Sequence, residues 1–315
     1  MELSPHTRIA VLVPCLNEEA SIGSVINAFK SAIPECEIFV FDNNSTDKTA
    51  QIASQAGAHV RAVLAPGKGH VVRRMFADVD ADIYVMVDGD ATYDASAAPA
   101  MIGRLIEEGL DMVVGCRVET EESVYRAGHR FGNSLLTACV SIVFGSTFTD
   151  MLSGYRVFSR RYVKSFPANS EGFEIETELA VHALEQSMPV AEMQTHYFSR
   201  PEGSESKLRT YRDGVRIMLT IARLFETERP FAFFSILAIL CAVASVLLAL
   251  PIIGTFLETG LVPRLPTAVL CAALVLLATI LLVCGIILDS VSSGRREAKR
   301  LAYLSIPGTG RPRAP

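Results

Sequence analysis

The chain has 315 residues, half of them hydrophobic, and a formal net charge of −5, which leaves room for one or two domains of ~100–200 residues. The acidic balance excludes the basic footprint of a general nucleic-acid binder, so no nucleic-acid partner is expected. Seven cysteines, odd in number and without Cys-x-x-Cys spacing, exclude a disulfide framework or a zinc site.

Ile9-Ala-Val-Leu-Val13 is a short apolar run, as expected of a buried parallel strand. A helical stretch follows from about Glu18 to Ala32, then a second strand over Glu37–Phe41. Asp42-Asn-Asn-Ser-Thr-Asp47 is a polar turn opening a helix to Ala56, with Gly57 as its stop. A third strand is expected near His59–Val63. Gly67-Lys-Gly69 then starts a helix; it lacks the Gly-x-x-x-x-Gly-Lys-Ser/Thr spacing of a phosphate loop. Ile83–Val87 and Met112–Val114 read as further strands. Strands alternating with helices predict a doubly wound α/β sheet, mostly parallel, with ligands at the carboxyl ends of its strands.

The remainder of the chain is different. Phe231–Phe256 and Thr267–Leu288 are almost free of charge and long enough to span a ~30 Å hydrocarbon core. Both are apolar on every face, which favours membrane spans over a pair of buried core helices. Pro251 is expected to kink the first span. The loop between them carries only Arg264, whereas Arg295, Arg296, Lys299 and Arg300 follow the second span. Positive residues stay inside, so both termini are expected in the cytoplasm; the N-terminus has no signal-peptide pattern, which agrees. Just before the spans, Arg209, Arg212, Arg216 and Arg223 fall on one helical face. They read either as an amphipathic helix lying on a bilayer or as an ordinary solvated face. The expected organisation is a catalytic domain over 1–206, an interfacial helix over 207–230, two spans within 231–290 and a cytoplasmic tail over 291–315.

Asp88-Gly-Asp90 ends the strand Ile83–Val87. Two carboxylates two residues apart on extended backbone share a face, an arrangement that suits a hard divalent cation such as Mg2+ or Mn2+ shared with substrate phosphates. Taken alone, the motif is weak, and an Asp-x-Asp at a strand end is more often a plain turn.

Pro14-Cys-Leu-Asn-Glu18, Asp42–Asp47, Gly67-Lys-Gly69, Asp88-Gly-Asp90, Gly115-Cys-Arg117, Asp150–Arg156, Gly172–Glu178 and Arg200–Lys207 follow one another in that order. Over about residues 8–230 this resembles the family 2 glycosyltransferases of GT-A fold, in the branch of dolichol-phosphate mannose synthases and polyprenyl-phosphate glucosyltransferases. The two-helix hairpin resembles the bacterial glucosyltransferases of that branch. The resemblance implies that Pro14, Asn17, Glu18, Asp42, Lys68 and Asp88 bind a nucleotide sugar, and that Asp88 and Asp90 hold the metal. It further implies that Arg117, Arg200, Ser206, Lys207, Arg209 and Arg212 handle acceptor phosphate beside the bilayer. Asp88, Asp90, Arg117 and Glu178 would form the catalytic set, and related enzymes suggest a tetramer. The chain departs from the family at Leu16, where Tyr is common, and at Ala91-Thr92, where Leu-Gln is frequent.

The implied reaction is inverting transfer of one hexose, from UDP-glucose or GDP-mannose, to a polyprenyl phosphate. The chain has no Trp, so the Gln-x-x-Arg-Trp signature of processive synthases is missing, which favours single transfer. One of Glu174, Glu176 and Glu178 would act as general base if the acceptor were instead a neutral lipid such as a diacylglycerol or ceramide; the three read equally as carboxylates displayed to water. A non-catalytic scaffold with the same fold is the remaining alternative.

Overall fold

The structure, a computed structural model, describes residues 7–119, 148–172, 174–201, 219 and 222–308. It divides into two compact units, Met1–Thr220 with Lys299–Pro315, and Ile221–Ala298.

In the first unit, strands β1 (Ile9–Cys15), β2 (Glu37–Asp42), β3 (His59–Ala62) and β4 (Ile83–Met86) alternate with helices α1 (Ile22–Ala32), α2 (Thr49–Gln55) and α3 (Lys68–Asp78). All neighbouring pairs among these strands are parallel. The sheet continues through β5 (Met112–Glu119), β6 (Arg156–Ser159) and β7 (Val190–Tyr197), giving the order β3-β2-β1-β4-β6-β5-β7. Strand β6 lies antiparallel to both β4 and β5, so the sheet is mixed. Helices α4 (Ala98–Glu107), α5 (Arg160–Ser165) and α6 (Ile175–Glu185) also belong to the unit. Val11, Leu12, Val13, Val40 and Val85 are fully buried, because strands covered on both faces need continuous apolar runs rather than alternation.

Two strands went unread in the sequence for physical reasons. β6 opens with Arg156, the largest fully buried side chain, and a charge hides a short apolar run. Its guanidinium donates to the carbonyls of Ser153 (3.0 Å), Met151 (2.5 Å) and Glu176 (3.0 Å), so the polar group is satisfied inside. β7, Val-Ala-Glu-Met-Gln-Thr-His-Tyr, is the edge strand among the described residues, paired along its length with β5, and its mixed polarity gives no core signal.

The second unit holds two long helices. Helix α7 (Pro230–Thr259) runs through Pro251 and ends at Gly260, whose φ of 67° permits the left-handed cap. Helix α8 (Leu265–Leu304) follows. Within the unit, Ser245 donates to the carbonyl of Cys271 at 2.9 Å. A side chain at Gly285 would come within 3.1 Å of Phe234 Cβ, a small-residue contact of the kind that lets apolar helices approach closely. With mean hydropathies of 2.9 and 3.0 over their most apolar stretches, both helices are long and apolar enough to cross a membrane. Helix α8 continues beyond its apolar part, and its last residues belong to the first unit. There Tyr303 Oη donates to Asp111 at 2.7 Å and Lys299 meets Glu185 at 2.8 Å.

Candidate active site

The parallel register sets Cys15 beside Asp42, so the ends of β1 and β2 open together. Asn17 follows β1 in a left-handed conformation (φ 51°). Its backbone N–H donates to Ser45 Oγ (2.8 Å) and its Oδ1 accepts from Thr46 N (2.7 Å). Glu18 is buried; its N–H donates to Thr49 Oγ1 and its carboxylate accepts from Ser21 Oγ. Asp42 is buried at the end of β2 and accepts from the Ser45 amide. Pro14, Asn17, Glu18 and Asp42 therefore lie together at the carboxyl ends of β1 and β2, the strand ends where open α/β sheets take ligands.

Strand β4 delivers the acidic pair into the same region. Ala91, at φ 58°, turns the chain back so that Thr92 donates to Asp90 Oδ1 through both its amide (3.2 Å) and its hydroxyl (2.6 Å). Thr92 stands where the family often has a side-chain amide, and here it orients the carboxylate. Burial first, and then the charge of Asp88, push the Asp90 carboxyl above its ordinary range, with Arg200 opposing. Arg200 Nη2 reaches Asp90 Oδ2 at 2.6 Å.

Asp88 is held on two sides. The Nζ of Lys68, the first residue of α3, lies 2.6 Å from Asp88 Oδ1 and 2.6 Å from Glu176 Oε1. On the other side, a Cβ at Gly154 would lie 2.3 Å from Asp88 Oδ2, so only glycine lets the carboxylate fit there. Burial lowers the Lys68 pKa, but Asp88 and then Glu176 outweigh it and the ammonium is held charged, above its usual value. For Glu176, burial leads and pushes the carboxyl upward; Lys68 opposes and Asp88 reinforces. One buried cation thus serves two anions, Glu176 buried and Asp88 27% exposed, with Asp90 close enough to Asp88 to feel its charge.

Glu174, Glu176 and Glu178 are all buried, which corrects the expectation of carboxylates displayed to water. Glu176 joins Lys68. Glu178, placed in the catalytic set by resemblance, faces a loop instead: its two oxygens accept from the amides of Asn169 (2.9 Å) and Ser170 (2.7 Å). Sequence reasoning named Glu176 only as one of three, because nothing in the helix pattern tells which carboxylate meets Lys68. The role of Gly154 was invisible for the same reason.

Arg117, at the carboxyl end of β5, makes a bidentate pair with Asp150: Nε to Oδ2 and Nη2 to Oδ1, both 2.7 Å. Although burial favours the neutral acid, the Arg117 contact prevails and holds the Asp150 carboxyl below its ordinary range. The guanidinium also lies 5.6 Å from the centre of the Tyr197 ring. Ser206, Lys207, Arg209 and Arg212 lie outside the described residues.

The donor set fits a divalent cation that retains water and shares substrate phosphates: Asp88 and Asp90 supply hard oxygen ligands at one strand end. No cluster of three or more acidic, His or Cys ligands occurs among the described residues.

The sequence pattern described as Glycosyl transferase family 2 matches residues 10–166. The glycosyltransferase AglJ of Haloferax volcanii is 32% identical over 299 residues, covering 94% of this chain and 98% of that protein. The chain belongs to glycosyltransferase family 2. This glycosyltransferase is also 27% identical over 221 residues to the dolichyl-phosphate hexose transferase of H. volcanii, covering 70% of this chain and 95% of the relative. Among solved structures, glucosyl-3-phosphoglycerate synthase from Mycobacterium tuberculosis, in complex with Mn2+, uridine diphosphate and phosphoglyceric acid, superposes with a TM-score of 0.57. The two are 26% identical over 69% of this chain and 78% of that one. The seven-stranded mixed sheet of this glycosyltransferase is thus a GT-A fold, followed by two long apolar helices.

Proposed function

We propose that the chain transfers one hexose from a nucleotide-diphosphate sugar, UDP-glucose or GDP-mannose, to a polyprenyl phosphate, with inversion, at the cytoplasmic face of a membrane. The observation that carries the reading is the cation–anion cluster at the ends of β4 and α3: Lys68 between Asp88 and Glu176, and Arg200 on Asp90. The names of the archaeal relatives, the Mn2+–UDP complex of the structural neighbour and the two apolar helices support it.

Asp88 and Asp90 would hold Mg2+ or Mn2+, which when bound offsets the charge that grows on the leaving diphosphate. Pro14, Asn17, Glu18 and Asp42 line the nucleoside crevice. Lys68 presents a fixed positive charge beside Asp88, where a diphosphate would lie. Arg200 exchanges Asp90 for a phosphate oxygen, a partner that suits a guanidinium equally well. Arg117, preset by Asp150, offers a second site for acceptor phosphate together with Ser206, Lys207, Arg209 and Arg212.

An acceptor phosphate monoester has its second pKa near ~6, so its oxygen is already anionic at neutral pH. The new bond forms from that oxygen to the anomeric carbon as the bond from carbon to diphosphate breaks on the opposite face, and the electron pair leaves with the nucleoside diphosphate. No strong base is needed, in keeping with Glu176 and Glu178 both being engaged, with Lys68 and with backbone amides. The charge of Arg295, Arg296, Lys299 and Arg300 after the second apolar run favours a cytoplasmic site.

The test is a transfer assay in detergent with undecaprenyl phosphate, Mg2+ or Mn2+ and labelled nucleotide sugars, with Asp90→Ala as control. Label in the lipid phase from one donor, lost in the variant, is expected. No lipid product alongside transfer to diacylglycerol or ceramide would overturn the acceptor assignment.

A further inference from the structure

The loop 168–171 has no place in the reaction just described, yet it is built with unusual care. Ala168 is held at φ 48°, outside the conformations a non-glycine residue prefers. Its carbonyl accepts from Arg73 Nε (2.8 Å) and Nη2 (2.6 Å). The next two amides, Asn169 and Ser170, point at the two oxygens of the buried Glu178. Beyond them, the Glu171 carbonyl accepts from Gly69 N at 2.9 Å.

The far side of this loop is the start of α3. A Cβ at Gly67 would lie 2.2 Å from the Glu171 carbonyl oxygen, and one at Gly69 would lie 2.1 Å from that of Ser170. Both glycines are required because backbone meets backbone, and Gly67 also needs its φ of 125°. Between these two contacts stands Lys68. The Asn43 carboxamide oxygen fixes the chain just before it, accepting from Gly67 N at 2.7 Å. The ammonium that bridges Asp88 and Glu176 is therefore placed by its backbone, and that backbone is placed by the loop.

We propose that Glu178 is a positioning residue: its carboxylate clasps the 168–171 loop against Gly67 and Gly69, and so sets Lys68 between Asp88 and Glu176. It moves no proton. This rests on the reading of Lys68 as a nucleotide-diphosphate ligand. Each carboxylate oxygen takes one of the two N–H donors. A carboxamide offers only one acceptor and turns its NH2 toward the other donor.

The experiment compares the full-length wild type with Glu178→Gln and Gly69→Ala in detergent. One readout is amide hydrogen exchange over peptides covering 67–72 and 167–172. The other is the affinity for UDP with Mn2+, by titration calorimetry. Glu178→Gln is expected to lower protection in both peptides at least tenfold. It should weaken UDP binding by roughly tenfold or more, the usual cost of losing a group that orients a ligand, and leave the shape of the pH–rate profile unchanged. Gly69→Ala, which pushes the loop away from the opposite side, should reproduce the loss of affinity. In the double variant the two effects should fall short of additive, because they act on one contact.

Unchanged protection in Glu178→Gln overturns the clasp whatever the enzyme binds. Unchanged UDP affinity with the loss of one limb of the pH–rate profile overturns it too and makes Glu178 a general base. A wild type that binds no UDP or GDP with Mn2+, but whose loop loosens in Glu178→Gln, retains the clasp and refutes the nucleotide-sugar reading. Where Glu178→Gln does not fold, Gly69→Ala and Arg73→Ala carry the same exchange and affinity measurements.

Discussion

The first unit buries two charge clusters at opposite ends of one sheet, and they are built on opposite terms. At the amino end of β5, the fully buried Asp111 receives two donors on each oxygen. Ser159 Oγ and Arg161 Nε reach Oδ1, while Arg161 Nη2 and Tyr303 Oη reach Oδ2. At the carboxyl end of β4, one ammonium is divided between Asp88 and Glu176, and burial and Asp88 push the carboxyls of Glu176 and Asp90 upward. A buried carboxylate whose every lone pair is matched holds the fold together. Carboxylates in excess of their cations carry a cost to the fold, which is the pattern of groups at binding sites.

The largest expected effect sharpens that contrast at its functional end. Asp90→Asn should lower transfer by on the order of a thousandfold, the several kcal/mol a metal ligand supplies. The same variant should melt no lower than wild type, because it removes a crowded buried charge. A fall in melting temperature comparable to that of a core substitution would show that Asp90 is structural. At the other end, Asp111→Asn should destabilise by roughly 3 kcal/mol, since it leaves the Arg161 charge without its counterion. Activity per folded molecule should hold. Chemical denaturation with a parallel rate measurement separates the two, and a stable but inactive Asp111→Asn would break the comparison.

A smaller effect concerns a buried group outside both clusters. His182 packs against Tyr162 and Phe166, and burial first, then the charge of Lys299, push its pKa down to about 3. The unfolded chain takes up this proton near its ordinary value of ~6.5. Stability is therefore complete above ~6.5 and falls with pH below it, by at most about 1.4 kcal/mol per pH unit until pH 3 is reached. His182→Gln should flatten the decline in melting temperature between pH 7 and pH 5. An equally steep decline in the variant would assign that acid sensitivity to other groups.

What the sequence revealed divides along similar lines. The apolar runs of β1, β2 and β4 and the carboxylates at their ends were readable, because both signals are local and follow the period of a strand. The antiparallel β6 was not, since its first residue is a buried arginine satisfied by carbonyls of the turn before it and of Glu176 in α6. Within α6, spacing offered three glutamates and no means of ranking them. Which one meets Lys68 depends on where α3 begins, more than a hundred positions away, and that is decided by packing.

The bond between Tyr303 and Asp111 spans 192 positions of the chain. In the order of synthesis, Asp111 and Arg161 emerge early, and the tyrosine that completes their cluster arrives only after both long apolar helices have been made. The catalytic unit is therefore discontinuous, its last piece delivered by the far end of α8. A fragment cut before Pro230 to obtain a soluble enzyme would keep the acidic cluster at the end of β4, yet it would leave one buried carboxylate short of a donor at the opposite end of the sheet. Maturation of the enzyme and translation of its hydrophobic hairpin are thereby placed in a fixed sequence.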